Sequence, residues 1–343
     1  MVRIAVLVIA HDRTRYIVEA LRCLQHQTLP RELFEVVIVK NFVLEEVDHL
    51  AADCGFKAVL SEATPVGEDI RLGINNSSAE LICLLDDDDL FEPTKLATVL
   101  HEFTTHPRLG YFANNFAVIA EDGSPRASHP FRKSQRKARV RLGSVYLESP
   151  SILRQLARLP PLGPDFNGSS IAIRRSMLTS TMLDVLPKAL GGEDTFLFYC
   201  AVASGWDLLI SSEILTFYRF HPAQLSISSE PPGSAGWIRV HQMLKNRSAQ
   251  WTALATELFD ASDDPAVGRS VRALAAYLAF YSTRTDPNPT RRGILESAVR
   301  LVHFRDTYTA RVEPDVLLPT LVSLASPRIA QWLQFQRQVA GFR

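Results

Sequence analysis

The first 120 residues alternate between two hydrophobic periods, and that alternation constrains the fold more than any other feature. Continuous apolar runs occur at 3–9 (RIAVLVI), 34–39 (FEVVIV), 57–60 (KAVL) and 81–85 (LICLL). Between and after them, apolar residues recur at helical spacing: Ile17, Leu21 and Leu24; Leu44, Val47, Leu50, Ala51 and Cys54; Ile70 and Ile74; Leu96, Val99, Leu100 and Phe103. A run that is apolar at every position is a strand covered on both faces. LGYFA (109–113) reads as a fifth strand. Parallel neighbours need a crossover helix, so the rhythm predicts an α/β fold: a mostly parallel sheet with helices on both faces. Ligands of such sheets bind beyond the carboxyl ends of the strands. The residues to read are therefore Ala10 to Arg13, Lys40 to Phe42 and Asp86 to Asp89.

The middle of the chain is less regular. SSIAIRR (169–175) reads as a strand feeding a helix, residues 191–204 as a helix opened by GGED, and DLLIS and ILTFYRF as two strands. SEPPGS (229–234) is a boundary. Residues 236–343 read as largely helical, with breaks near Asp263–Pro265, Asp286–Pro289 and Pro314. The organisation expected is two parts of one α/β domain, 1–120 and 121–235, followed by a helical region, 236–343.

Charge narrows the function. The chain holds 37 basic and 37 acidic side chains, a net charge of zero, which argues against a protein built on nucleic-acid binding. The distribution is uneven: residues 1–120 carry 10 basic and 18 acidic groups (−8), 121–235 carry 13 and 10 (+3), and 236–343 carry 14 and 9 (+5). No apolar run approaches the length of a membrane span, and the opening MVRIAVLVIAHDR reads as a buried strand rather than a signal peptide. Cys23, Cys54, Cys83 and Cys200 form no C-x-x-C pair and read as reduced core residues, so a cytoplasmic location is expected.

Three segments carry chemistry. Asp86-Asp87-Asp88-Asp89 follows an apolar strand at the ligand-binding edge. Four adjacent carboxylates repel one another unless a cation neutralises them, and hard oxygen donors select Mg²⁺, Mn²⁺ or Ca²⁺. Gly191-Gly192-Glu193-Asp194 is either a helix N-terminus satisfied by acids or a general base held near that cation. In YRFHPAQLS (218–226), His221 is a partly buried histidine or a metal or phosphate contact, and Arg219 has the planar fork that suits a phosphate.

Taken together these segments resemble a family 2 glycosyltransferase of GT-A fold. LLDDDDLFEPTKL resembles that family's DxD segment, GGEDTFLF its ED motif, YRFHPAQLS its YRxH…S segment and NGSSIAIRRS its strand before the acceptor helix. VLVIAHDR stands in place of its V-x-I-P-T-Y-N-R. The resemblance covers residues 1–228. It implies a nucleotide-sugar donor, a Mn²⁺ or Mg²⁺ ion, and inverting transfer to an acceptor hydroxyl. It assigns Asp194 as general base and Glu193 as its neighbour orienting acceptor or helix. Asp87, Asp89 and His221 are the expected metal contacts. Ala10, His11, Asp12, Lys40, Arg71, Asp87, Asp88 and Arg219 are the expected donor-pocket residues. Where the family carries an Asp after the second strand this chain has Lys40, and where it carries an Arg-Asn pair this chain has Arg71 before Leu72 and Gly73. On this reading 1–120 is the donor half and 121–235 the acceptor half.

Two other readings stay open at the level of sequence: a catalytically silent sugar- or nucleotide-binding scaffold of the same fold, and an aspartate-dependent phosphotransferase. The expected partners are the donor and a sugar, lipid-linked or protein acceptor, with no nucleic acid. Arg132, Lys133, Arg136, Lys137, Arg139 and Arg141, with no acid among them, read as a flexible solvated loop. Such a run suits peripheral contact with an anionic membrane at its inner face.

Overall fold

The computed structural model of the protein describes residues 2–343 except 63–64, 127–132, 161, 166, 222–230, 305–306, 308–322, 324 and 341–343. The side chains of 133–134 and 334–340 are likewise outside the description. The chain forms two compact units. The first comprises Met1–Ser128, Arg132–Ile152 and Leu162–Phe220, and the second His129–Phe131, Leu153–Pro161 and His221–Arg343.

The first unit is built on one sheet. Its strands are β1 (Ile4–Ala10), β2 (Phe34–Lys40), β3 (Lys57–Leu60), β4 (Leu81–Asp86), β5 (Leu90–Phe91), β6 (Leu109–Ile119), β7 (Val145–Leu147), β8 (Ile171–Arg174) and β9 (Asp207–Arg219). The order is β3-β2-β1-β4-β8-β6-β9-β5, with β7 paired to β9. β1 pairs in parallel with β2 and with β4, so Val6 lies between Val36 and Cys83. From β1 the chain winds outward through β2 and β3, then returns to β4 on the other side of β1. The crevice between the ends of β1 and β4 is thus a topological switch point, the place where open sheets of this kind bind ligands.

Helices α1 (Ile17–Gln25), α2 (Glu45–Asp53), α3 (Val66–Asn75) and α4 (Lys95–Thr105) cover the sheet. Ile17, Leu21 and Leu24 of α1, Val47 of α2 and Leu96 and Val99 of α4 share one core with Val6 and Val8 of β1, Ile38 of β2 and Cys83 of β4. The alternate positions on the opposite face meet α3: at Gly73 a Cβ would touch Leu7 and Val39, so the helix lies close because the residue is glycine. Both faces are covered, which is why β1 is buried at all seven positions.

LGYFA belongs to an 11-residue strand, β6, that does not join β4 directly. The short β8, arriving from far along the chain, inserts antiparallel to both. Nothing local announces a four-residue strand as the wedge between two longer ones. DLLIS and ILTFYRF form a single 13-residue strand, β9, which runs parallel to β6 with register shifts.

The basic segment is corrected by the structure. Residues 133–142 form a helix, α5 (Lys133–Leu142), not a loop. Arg139 on it is buried, and its guanidinium donates to the carbonyls of Asn114, Leu162 and Gly163. That side chain is part of the interior, and Arg132 and the side chain of Lys133 lie outside the described residues. Beyond α5 come α6 (Ile152–Leu156), α7 (Ser180–Val185) and α8 (Glu193–Ala203).

The second unit is helical: α9 (Ala235–Leu254), α10 (Pro265–Thr285), α11 (Arg291–Val302) and α12 (Pro327–Ala340). The starts are written in the sequence. Ser234, Asp264 and Thr290 each cap the following helix by accepting a backbone N–H, and Pro265 stands in the first turn of α10. Ser234 closes the boundary read at 229–234, Asp264 falls in the break read at 263–265, Thr290 directly follows the one read at 286–289, and Pro314 lies outside the described residues. Trp251, Leu254, Phe259, Val267, Val271 and Phe280 are fully buried in this unit. No helix among the described residues is long and apolar enough to cross a membrane. All four cysteines are unpaired.

Candidate active site

The end of β4 carries the acid cluster. The Asp89 N–H donates to the Asp86 carbonyl at 3.2 Å, a tight turn that folds the four carboxylates back on one another. Oxygens of Asp86, Asp88 and Asp89 all lie within 4.8 Å of each other, a grouping able to hold a metal ion. Asp87 turns away to Arg13 and His221 is not in the group, so the oxygen triad differs from the Asp87, Asp89 and His221 expected from sequence.

Burial is the largest influence on Asp86, Asp87 and Asp89. It pushes the Asp86 carboxyl up to about 7, helped by Asp88, Asp194 and Glu193 and opposed by Arg13. It pushes Asp87 up to about 8 despite Arg13. Asp89 is raised well above the usual carboxylate range by burial, then by Asp88 and Asp86. Its Oδ1 accepts the main-chain N–H of Arg219, and its buried Oδ2 accepts no hydrogen bond. A buried acceptor left without a donor is costly, and a cation satisfies it. The triad fits a hard divalent ion on this ground.

The segment Asn167-Gly168-Ser169 joins the cluster to the second acidic pair. Ser169 Oγ accepts the Asp86 N–H at 3.0 Å, and the Asn167 N–H donates to Asp194 Oδ2 at 3.1 Å. Asn167 has φ +66°, a left-handed conformation an asparagine tolerates, and its side chain accepts the Ser169 N–H. Asp194 Oδ1 also accepts the Thr195 N–H at 2.7 Å. Asp194 is therefore held as an acceptor at the N-terminus of α8. Glu193 accepts the Gly191 N–H at 2.8 Å, which closes the turn leading into α8. Gly191, at φ +70°, makes that turn possible.

The ends of β1 and β2 form the other wall. Ala10 is the last residue of β1 and is buried. Asp12 adopts φ +56° and exchanges two hydrogen bonds with the Asn41 side chain, which locks the turn. His11 lies 3.4 Å from Asp12 Oδ2 and 3.5 Å from Asp69 Oδ2. Asp69, on α3, is wholly buried; its Oδ1 accepts the Ser61 hydroxyl and its Oδ2 accepts no hydrogen bond.

Three residues expected at the donor have partners within the chain. Lys40 is buried with its ammonium on the Phe42 carbonyl at 2.7 Å and Asp48 at 3.0 Å. Arg71 pairs with Glu68 on its own helix. Arg219 is fully buried: Nε donates to the Asp88 carbonyl, Nη1 to the Glu121 carbonyl and Nη2 to Glu19. Through the Asp88 carbonyl it braces the cluster. His221 is buried two residues further on, and 222–226 of its segment lie outside the described residues.

Four contributors were given no role from the sequence. Arg13 bridges Asp87 and Asp88. Asn167 and Ser169 carry the link just described. Lys95 is fully buried on the Thr216 hydroxyl and the Ser169 carbonyl, and burial pulls its ammonium down to about 7. Arg13 ends the stretch after β1 marked for reading, Asn167 and Ser169 lie in NGSSIAIRRS and Lys95 in LLDDDDLFEPTKL, but nothing local gives any of the four its partners.

Residues 5–180 match the family described as Glycosyl transferase family 2. No curated protein matches the chain. Among solved structures, S. aureus TarS 1–349 in complex with UDP-GlcNAc is 13% identical, with a TM-score of 0.59 over 99% of this chain and 92% of that one. Full S. aureus TarS is 15% identical, with a TM-score of 0.56 over 98% of this chain and 54% of that one. The mannosyltransferase PcManGT from Pyrobaculum calidifontis, in complex with GDP-Man and Mn2+, is 13% identical, with a TM-score of 0.50 over 99% and 86%. At such identities the likeness is one of fold, and it is the GT-A fold. The family match spans just over half of the sequence, and with it the chain belongs to glycosyl transferase family 2 and is a glycosyltransferase.

Proposed function

We propose that the protein moves a sugar from a nucleotide-sugar donor to an acceptor hydroxyl in one in-line displacement, with inversion at the anomeric carbon. The observation that carries the reading is the three-residue bridge from the acid cluster to Asp194 through Ser169 and Asn167. It supports the reading by tying the carboxylate triad at the sheet's switch point to Asp194. Asp86, Asp88 and Asp89 would hold Mg²⁺ or Mn²⁺. That ion, when bound, supplies positive charge against the charge developing on the departing diphosphate.

Asp194 accepts the proton of the incoming hydroxyl. Both its oxygens take a main-chain N–H, so the carboxylate is aimed before substrate arrives. Glu193 holds the helix start on which Asp194 sits. His11, Asp12 and Asn41 shape the wall where the nucleoside is expected, since they lie at the ends of β1 and β2. The UDP-GlcNAc and GDP-Man complexes of the structural relatives support the donor class, and the Mn2+ of one supports the ion.

Thermal-shift measurements with UDP, GDP, ADP and CDP, each with Mn²⁺ and with EDTA, test this. A bound ligand at a hundredfold its Kd stabilises by about 2.7 kcal/mol. One nucleotide is expected to raise Tm in Mn²⁺ and lose most of that effect in EDTA. No shift with any of them contradicts the donor class, and an equal shift in EDTA contradicts the metal.

A further inference from the structure

We propose that Arg13 is the resident counter-ion of the acid cluster, released when a divalent cation binds and then turned to the donor's diphosphate. This rests on the donor and metal reading above. Asp88 has two claimants. It is one of the three carboxylates grouped within 4.8 Å, and its Oδ2 accepts Arg13 Nη1 at 2.6 Å. The other arm of the same guanidinium bonds Asp87.

Arg13 is the cation placed to leave. Arg219 is fully buried and bonded to main-chain carbonyls as well as to Glu19. Lys95 is fully buried on Ser169 and Thr216. Arg13, by contrast, is 24% exposed, its Nε makes no hydrogen bond, and its two arms hold only carboxylates. It stands just after β1, on the turn locked by Asp12 and Asn41, at the mouth of the switch-point crevice. A divalent ion on Asp88 repels a guanidinium on the same carboxylate. The freed group is a planar fork with five N–H donors, matched to adjacent phosphate oxygens, and it remains in the crevice that receives them.

The proposal makes opposite predictions for two ligands of one variant. In Arg13→Gln, Mn²⁺ alone, followed by electron paramagnetic resonance or calorimetry, is expected to bind on the order of tenfold more tightly than in wild type, because its competitor is gone. Inorganic pyrophosphate, titrated at saturating Mn²⁺, is expected to bind on the order of tenfold more weakly. Arg13→Lys, which keeps the charge without the fork, should fall between the two for both ligands and serves if Arg13→Gln does not fold. Equal or weaker Mn²⁺ binding in the folded variant overturns the counter-ion role while leaving the metal reading intact. Tighter Mn²⁺ binding with unchanged pyrophosphate affinity overturns the transfer to the diphosphate. Absence of Mn²⁺ binding in both proteins overturns this proposal and the metal reading together.

Discussion

The main-chain N–H of Arg219 donates to Asp89 Oδ1 at 2.9 Å, across 130 residues of sequence. The last residue of the last strand thus fixes one acid of the cluster that follows β4. β5, two residues long, pairs Leu90 with Phe217 of β9 and holds the two segments in register. The site is therefore assembled by the return of β9 and not by local sequence alone.

Arg219→Met is expected to destabilise the protein by about 1–3 kcal/mol, since it strands two main-chain carbonyls that now share a buried cation, while the half-exposed Glu19 passes to solvent. Urea denaturation reads this directly. The main-chain bond to Asp89 survives the substitution, so Mn²⁺ affinity should fall only as far as β9 shifts. A variant as stable as wild type would remove Arg219 from its bracing role.

Arg139 and Lys137 lie on the same helix and should behave oppositely. Arg139→Ala leaves three carbonyl acceptors without their donor and should cost about 3 kcal/mol or more. Lys137 is exposed, and Lys137→Ala should stay within about 0.5 kcal/mol. Melting curves of the two variants make the comparison.

Without a divalent ion, stability is expected to fall as pH rises. Asp86 and Asp87 have folded-state pKa values raised to about 7 and about 8. They hold protons in the folded state that the unfolded chain releases near its ordinary value of about 4. The folded state is favoured below that unfolded value and loses the advantage as pH climbs toward the folded pKa. Tm should drop between about pH 5 and pH 8, and Mn²⁺ should restore more of it at the upper end. In Asp86→Asn/Asp87→Asn the drop should flatten; an unchanged slope would place the titration elsewhere.

Much of the fold of residues 1–120 was legible because each of its strands carries its own signal. Buried on both faces, β1, β2 and β4 are apolar at nearly every position, and the acid run after β4 has no apolar explanation. Partner exchange was not legible. Nothing in the local sequence of Lys40 says that Asp48, on the next helix, takes its charge. Nor does the pattern of Arg139 distinguish a solvated arginine from one bonded to three carbonyls, because the acceptors lie 23 to 25 residues away. The grouping of Asp86 and Asp88 with Asp89, beside the expected Asp87, Asp89 and His221, was not legible for a similar reason. In a run of four aspartates the grouping depends on the turn after β4 and on Arg13, which bonds both Asp87 and Asp88 and stands 74 residues from Asp87.

The central claim is that Asp194 serves as base for transfer from a nucleotide sugar. It is tested most directly by nucleoside diphosphate release from the donor that the thermal shifts identify, with wild type and Asp194→Asn measured side by side in Mn²⁺ with acceptor present. The account predicts a fall in kcat on the order of 10²–10⁴-fold for the variant, with nucleoside diphosphate affinity nearly unchanged. Turnover by Asp194→Asn close to wild type would contradict it.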